Sequence, residues 1–278
     1  MFSLSEIIKP SSKIKVIDVG ASLLEAPLYM PLIESGLAAL VAFEPDHAEC
    51  QRLNDLWGED HHIINHFVFD GSKKTFYETN WFATGSLYKP NTPVLEQYFN
   101  ISELTTLVKE HAVETVSLDS VPEAQGADYI KIDVQGGELE IFKNGTKTLE
   151  KASFIHTEVC FIELYEGQPL FADVDQFLRS LGFRFIKMLG IGTRNLKPLS
   201  WGDNSGGHHW LWTDALYARD VSSIATMTSE AIEKMAIVAH DLYGLHDLAG
   251  LLLQHLDHRD QTLKAQDYFQ RLVAEGHE

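Results

Sequence analysis

Cysteine is almost missing from this 278-residue chain: only Cys50 and Cys160 occur, and no CxxC pair is formed. That excludes a disulfide framework and leads us to expect two reduced, buried thiols in a cytoplasmic protein. Long apolar runs are missing too. None approaches the ~20 residues that span a bilayer, and Met1 to Pro10 lacks a basic region followed by an apolar core. Neither a membrane span nor a signal peptide is therefore expected. Basic residues are scarce, with 22 Lys and Arg against 40 Asp and Glu for a net charge of −18. A surface that tracks phosphates needs clustered cations, so nucleic acid is not an expected partner. The 13 histidines fall into neither HxH nor HExxH spacing. The adjacent pairs His61-His62 and His208-His209 would face opposite ways on a strand, so no metal site is expected.

What is present is an alternation of strands and helices. Lys15 to Val19, Ala39 to Phe43 and His62 to Phe69 read as strands, with helices over Ala26 to Ser35 and His47 to Trp57 between them. The rhythm breaks across about residues 71–118. There Thr75 to Glu78, Gly85 to Tyr88 and Glu114 to Leu118 read as short strands around a polar, helical stretch at Ser102 to Glu110. We expect an insertion of hairpins over the C-terminal edge of the sheet. Alternation resumes with Tyr129 to Asp133, a helix over Glu138 to Glu150, Phe154 to Cys160, and a helix over Asp173 to Leu181 stopped by Gly182. Phe183 to Leu189 and His209 to Tyr217 close the series as a pair of strands, one forming an antiparallel edge. Repeated βαβ units predict an α/β fold, a mostly parallel sheet with helices on both faces, over residues 1–219. Residues 220–278 form a C-terminal extension of two or three amphipathic helices that need a surface to cover: the main domain, or a second copy in a homodimer.

Two strand tips carry the chemistry. Val16-Ile17-Asp18-Val19-Gly20-Ala21-Ser22 is a strand ending in acid and glycine without the G-x-G-x-x-G of a pyrophosphate-binding turn. Glu44 closes the next strand, where an acidic residue accepts both ribose hydroxyls. Together they fit an adenosyl ligand without a pyrophosphate, namely S-adenosylmethionine. On the bland reading Glu44 and Asp46 only cap the following helix. Asp70, after the third strand, either meets an adenine or forms an ordinary Asp-Gly turn. The second tip is Ile130-Lys131-Ile132-Asp133-Val134-Gln135-Gly136-Gly137-Glu138. Asp133 there either bonds a cofactor amino group or takes a proton from a substrate hydroxyl. Glu158 is its expected neighbour on the adjacent strand, so mutual repulsion would raise one pKa. The bland alternative pairs Glu158 with Lys131. His156 shares a face with Glu158 and is either a base or a satisfied core histidine.

The pattern resembles the FkbM family of S-adenosylmethionine-dependent methyltransferases. The matching pieces are Ile17-Asp18-Val19-Gly20-Ala21, Ala42-Phe43-Glu44-Pro45-Asp46, Ser117-Leu118-Asp119-Ser120, Ile130 to Glu140 with Phe142-Lys143-Asn144-Gly145, and Thr157-Glu158. The resemblance implies a class I methyltransferase fold with a seven-stranded sheet, and O-methylation of a hydroxyl on a sugar, glycan or natural product. It implies that Asp18, Gly20 and Ala21, with Ser22 beside them, line the methionine part of S-adenosylmethionine, that Glu44 takes the ribose, and that Asp133 faces the reaction centre. Two departures stand out: Ser22-Leu23-Leu24 replaces the family's Asn-x-Gly, and Gln135-Gly136-Gly137 replaces Glu-Gly-Ala. They motivate a second reading, a degenerate methyltransferase-like module acting through a protein partner docked on the C-terminal helices.

Overall fold

A computed structural model of the chain describes residues 2–21, 26–58, 61–199 and 207–276. Its central sheet holds β1 (Ile14–Val19), β2 (Ala38–Phe43), β3 (His62–Ile64), β7 (Tyr129–Ile132), β8 (Phe154–Cys160), β9 (Phe183–Arg194) and β10 (His209–Arg219). The spatial order is β3-β2-β1-β7-β8-β10-β9, parallel except for β10, which is antiparallel to both its neighbours. The antiparallel strand therefore lies inside the sheet and β9 forms the edge, because the chain returns from β9 into the slot beside β8. The sheet is the seven-stranded one expected from the resemblance.

Both faces of the sheet are apolar, as a parallel sheet covered on two sides requires. Val16, Tyr129 and Phe154 point to one core, and Ile17, Val19, Ile130 and Ile132 to the other. The second core is closed by α4 (Glu138–Lys143), α5 (Thr146–Leu149) and α6 (Phe171–Ser180). The expected helix over 138–150 is broken at Gly145. Asp119 accepts the backbone N–H of Lys147 and Thr148 and so starts a new helix there.

The first core is shared with the C-terminal helices α7 (Ser229–Ile237), α8 (His246–Asp260) and α9 (Lys264–Ala274). Ile232, Met235, Leu252, Leu256 and Tyr268 pack in one cluster with Ile14, Val16, Phe154 and Leu216. The surface these helices cover is thus the sheet itself. A buried ion pair between Lys234 and Asp128 (2.9 Å) pins α7 to the start of β7. At the other end Asp241 accepts the backbone N–H of Leu4 and the hydroxyl of Ser3.

The inserted region differs most from expectation. The strand predicted over 62–69 divides: after β3, Asn65 donates to the carbonyls of Glu44 and Pro45, and β4 (Phe67–Phe69) leaves for a second sheet. That sheet has the order β4-β6-β5, with β5 at Lys73–Thr79 and β6 at Leu107–Ser117. No helix forms over 102–110, because Lys109, Glu110 and His111 pair along β5 and cross-strand pairing overrides local polarity. Ser86 contributes only a single bridge to Tyr77. The helix expected over 26–35 shortens to α1 (Met30–Glu34), entered through Pro31. The helix α2 (His47–Trp57) follows β2 as expected.

Because the C-terminal helices and the sheet share one core, they should melt together. Leu252→Ala, at a fully buried position, should cost about 2–5 kcal/mol and lower Tm in a single calorimetric transition. Two separate transitions would show that the helices fold on their own.

Candidate active site

The tips of β1 and β7 meet back to back. Gly20 and Ala21 donate their N–H groups to the Phe43 carbonyl, and Asp133 donates its own to Val19. Gly20 has φ +87°, and a Cβ there would stand 2.0 Å from the Asp133 carbonyl oxygen. Only glycine satisfies both the left-handed backbone and that approach. Above these tips opens a cleft of about 1230 Å³. It runs from Gly20, Glu44 and Asp46, past Phe76, Trp81 and Phe82 of the insertion, to Asp133, Glu158, Tyr165 and Arg194. A cleft at the carboxyl ends of parallel strands is where this architecture takes ligands.

At the β2 end the capping reading is realised by Asp46, and Glu44 lies on the cleft wall. Asp46 Oδ1 accepts the Glu49 N–H and caps α2, while Glu44 Oε1 accepts the Asp46 N–H. Glu44 is only 6% exposed although it lines the cleft. Burial pushes its carboxyl up to about 7. The bond from Asp46 opposes this, and the charges of Asp46, Glu49 and Asp18 add to it.

At the β7–β8 end the register sets Asp133 beside Glu158, one step past the Ile132–Thr157 pair. They are joined by a residue that we read only as a lost carboxylate. Gln135 Nε2 donates to Asp133 Oδ1 (3.0 Å) and Glu158 Oε2 (2.9 Å), and its Oε1 accepts from Tyr165 Oη (3.1 Å). Those bonds fix the amide orientation. Gln135 holds φ +60°, strained for a residue with a side chain. Ser86 from the insertion donates to its carbonyl, and Glu138 collects the N–H groups of Val134 and Gly136 on either side. Burial pushes the Glu138 carboxyl up to about 7 against those two bonds. Burial also drives Glu158 well above the usual carboxylate range; Asp133, Glu138 and Asp214 add to that, and Lys131 pulls the other way. The repulsion expected between two converging carboxyls thus falls on Glu158.

The Lys131–Glu158 ion pair of the bland reading is not formed. Lys131 Nζ lies instead 3.6 Å from Asp18 and 3.7 Å from Asp133. Burial alone would lower the ammonium's pKa, but Asp18, Asp133 and Asp214 outweigh it and hold the group charged. Asp18 itself lies beneath the Gly20 turn, 2% exposed, and accepts a 2.5 Å bond from Tyr29. It is not among the cleft-lining residues; nor is Ala21, whose backbone N–H is spent on β2. Ser22 lies outside the described residues. Asp70 keeps to its turn, accepting from Ser72 and pairing with Lys74 at 2.7 Å. His156 is a core histidine: its Nδ1 lies 3.1 Å from Tyr243 Oη and its Nε2 3.5 Å from Asp214, away from the cleft.

Sequence reasoning also missed Tyr165, Trp212 and Arg194. The Arg194 guanidinium lies 4.8 Å over the Trp212 ring, and its Nη1 donates to the adjacent Thr193 carbonyl. Among the described residues its Nε is buried without a partner, and burial lowers its pKa. The β9–β10 pairing and the loop after β8 bring these residues to the cleft, so no local pattern announces them.

The strand order and the cleft at the parallel tips define a class I methyltransferase. The family model described as the methyltransferase FkbM domain matches residues 18–185. The chain belongs to that family and is an S-adenosylmethionine-dependent methyltransferase. It is 30% identical over 196 residues to a protein named 2-O-methyltransferase NoeI from Sinorhizobium fredii, covering 60% of this chain and 78% of that one. Among solved structures it is similar to magnesium protoporphyrin IX methyltransferase (ChlM) from Synechocystis PCC 6803 with bound SAM. That match has 12% identity and TM-score 0.38, covering 75% of this chain and 71% of that one. Another similar structure is precorrin-6y C5,15-methyltransferase from Geobacter metallireducens GS-15, at 12% identity and TM-score 0.38, with 78% and 85% covered.

Glu44 sets a pH dependence of stability. Between the ordinary carboxyl value and about 7 the folded chain holds a proton that the unfolded chain has released, so stability falls as pH rises through that window. At full ionisation the cost is on the order of 3 kcal/mol. Glu44→Gln should therefore gain Tm over the wild type progressively from pH 5 to pH 8 by scanning calorimetry. A constant difference across that range would refute the assignment.

Proposed function

We propose that this enzyme transfers the methyl group to a hydroxyl of a sugar, glycan or natural-product small molecule, with Asp133 as the general base. The observation that carries the reading is the Gln135 bridge, which holds Glu158, its carboxyl pushed above the usual range chiefly by burial, beside Asp133 on the wall of the cleft. A methyl acceptor with an O–H needs a nearby group to take its proton as the oxygen attacks. The 2-O-methyltransferase name of the relative and the aromatic wall of Phe76, Trp81 and Phe82 support a ring-bearing hydroxyl compound. A net charge of −18 supports an acceptor other than nucleic acid.

The residues present fit S-adenosylmethionine. Glu44 spends Oε1 on the chain and leaves Oε2 for ribose hydroxyls, and Gly20 lines the cleft beside it. Asp46, across the same turn, completes the rim. When bound, the cofactor supplies an electrophilic methyl group on a sulfonium. The chain's own contribution is alignment: a displacement in line with the leaving sulfur gains most from fixed distance and angle. Gln135 fixes Asp133 for that purpose, and is itself held by Ser86 of the insertion and by Tyr165 from the loop after β8. His156 is the other base candidate that the sequence offers. Its contacts with Tyr129, Tyr243 and Asp214 give it a structural role instead.

Asp133→Asn should lower turnover by about 100-fold or more, the usual share of a positioned base, with affinity for S-adenosylhomocysteine changed little. Turnover would be read as S-adenosylhomocysteine release across a panel of hydroxylated sugars. Full activity in that variant would remove Asp133 from the mechanism.

Gln135→Gly separates position from fold. Glycine adopts φ +60° without strain, so Tm should hold or rise. Turnover should still fall about tenfold through kcat, because the two carboxyls lose their bridge. Unchanged kcat would make the bridge purely structural.

A further inference from the structure

Among the described residues, six carboxyl-bearing side chains line the cleft: Glu44, Asp46, Glu49, Glu78, Asp133 and Glu158. Two arginines line it as well. Arg52 is spent, donating to both oxygens of Glu49 at 2.6 and 2.7 Å. Arg194 has no carboxylate partner among the described residues, and its only hydrogen bond there goes to its neighbour's carbonyl. Its Nε is buried without a partner there, so the guanidinium keeps donors for a ligand.

The fold holds it deliberately. Gly192 lies opposite Trp212 in the β9–β10 register, and a Cβ there would stand 2.1 Å from the indole. Glycine thus lets the ring lie flat against β9 and serve as a platform for the guanidinium. The platform also has a fixed place relative to the proposed base. Trp212 pairs with Cys160 and Asp214 with Glu158, so the indole is one two-residue step beyond Glu158 along β8, about 7 Å. It lies on the side of Asp133 and Glu158 away from Gly20 and Glu44, toward β9 and the sheet edge.

We propose that Arg194, held on Trp212, binds an anionic group of the methyl acceptor, a carboxylate or a phosphate ester on the sugar or small molecule that carries the reacting hydroxyl. This rests on the reading of the substrate as a hydroxyl compound. A planar guanidinium with most of its N–H donors unspent matches the two oxygens of such a group. The surrounding carboxylates sharpen the choice. An oxyanion is repelled elsewhere in the cleft and accepted at this one position, which fixes which hydroxyl reaches Asp133.

The test is calorimetric titration of the protein saturated with S-adenosylhomocysteine, using glucose, glucuronic acid and glucose 6-phosphate as probes. We expect at least one anionic sugar to bind tenfold or more tightly than glucose, and we expect Arg194→Gln to abolish that preference. Affinity for S-adenosylhomocysteine and Tm should stay the same in the variant. Whichever of glucuronic acid and glucose 6-phosphate binds more tightly distinguishes carboxylate from phosphate. Anionic probes that bind no better than glucose, or that do not bind at all, overturn the proposal. So does an Arg194→Gln variant that instead loses S-adenosylhomocysteine, which would assign the guanidinium to the cofactor. Asp133→Asn separates the two readings: an anion preference that survives in it stands even if no hydroxyl is ever methylated.

Discussion

Lys131 is the charge on which the active edge of the sheet rests. Parallel pairing of β1, β7 and β8 sets Asp18, Lys131 and His156 in one row, and Gly20, Asp133 and Glu158 follow two steps on, past Val19, Ile132 and Thr157. Asp18 is 2% exposed, and burying a carboxylate without a cation beside it is costly. Lys131 supplies the cation at 3.6 Å and reaches Asp133, two residues along the same strand, at 3.7 Å. One ammonium thus serves a carboxylate that holds the fold and another that faces the cleft. A neutral residue at 131 would strand Asp18 and leave Asp133, Glu158 and Asp214 to repel one another.

The same row explains how the C-terminal helices matter to the site without touching the cleft. Tyr243, just past α7, bonds Tyr129 and His156, and His156 in turn faces Asp214. The tail therefore closes one side of the polar row that supports Lys131. It also buries the apolar face of β1, β7 and β8 beneath it. Removing the tail would expose that face and open the polar row to water together.

Much of this was legible in the sequence because it depends on local pattern. Apolar strands ending in Asp-x-Gly or Asp-Val, and an acid closing β2, state the sheet, its ligand edge and Glu44 directly. The cap by Asp46 follows from its place before α2. What was not legible depends on register and distant pairing. No pattern says that Lys131 sits opposite Asp18 rather than beside Glu158. Nor does one say that a polar stretch at 107–111 would be drawn into β6 by its partner strand, or that Trp212 would carry Arg194. Asp18 reads as a ligand from its motif, yet Tyr29, eleven positions along the chain, takes one of its oxygens beneath the turn.

The substitution of Gln for a carboxylate at position 135 shows how composition and chemistry are joined here. Asp133, Glu138, Glu158 and Asp214 already crowd this end of the sheet, and Glu158 bears the consequence in its raised pKa. A further carboxylate at 135 would deepen that repulsion and, being acceptor-only when ionised, could not bond both neighbours. An amide has two N–H donors for two carboxyls and one oxygen for Tyr165, and all three are used. The strained backbone at φ +60° is what brings the amide to that midpoint. The departure from the family pattern is therefore a change in how the acid pair is held, neutral donors replacing charge, and it leaves the pair itself in place.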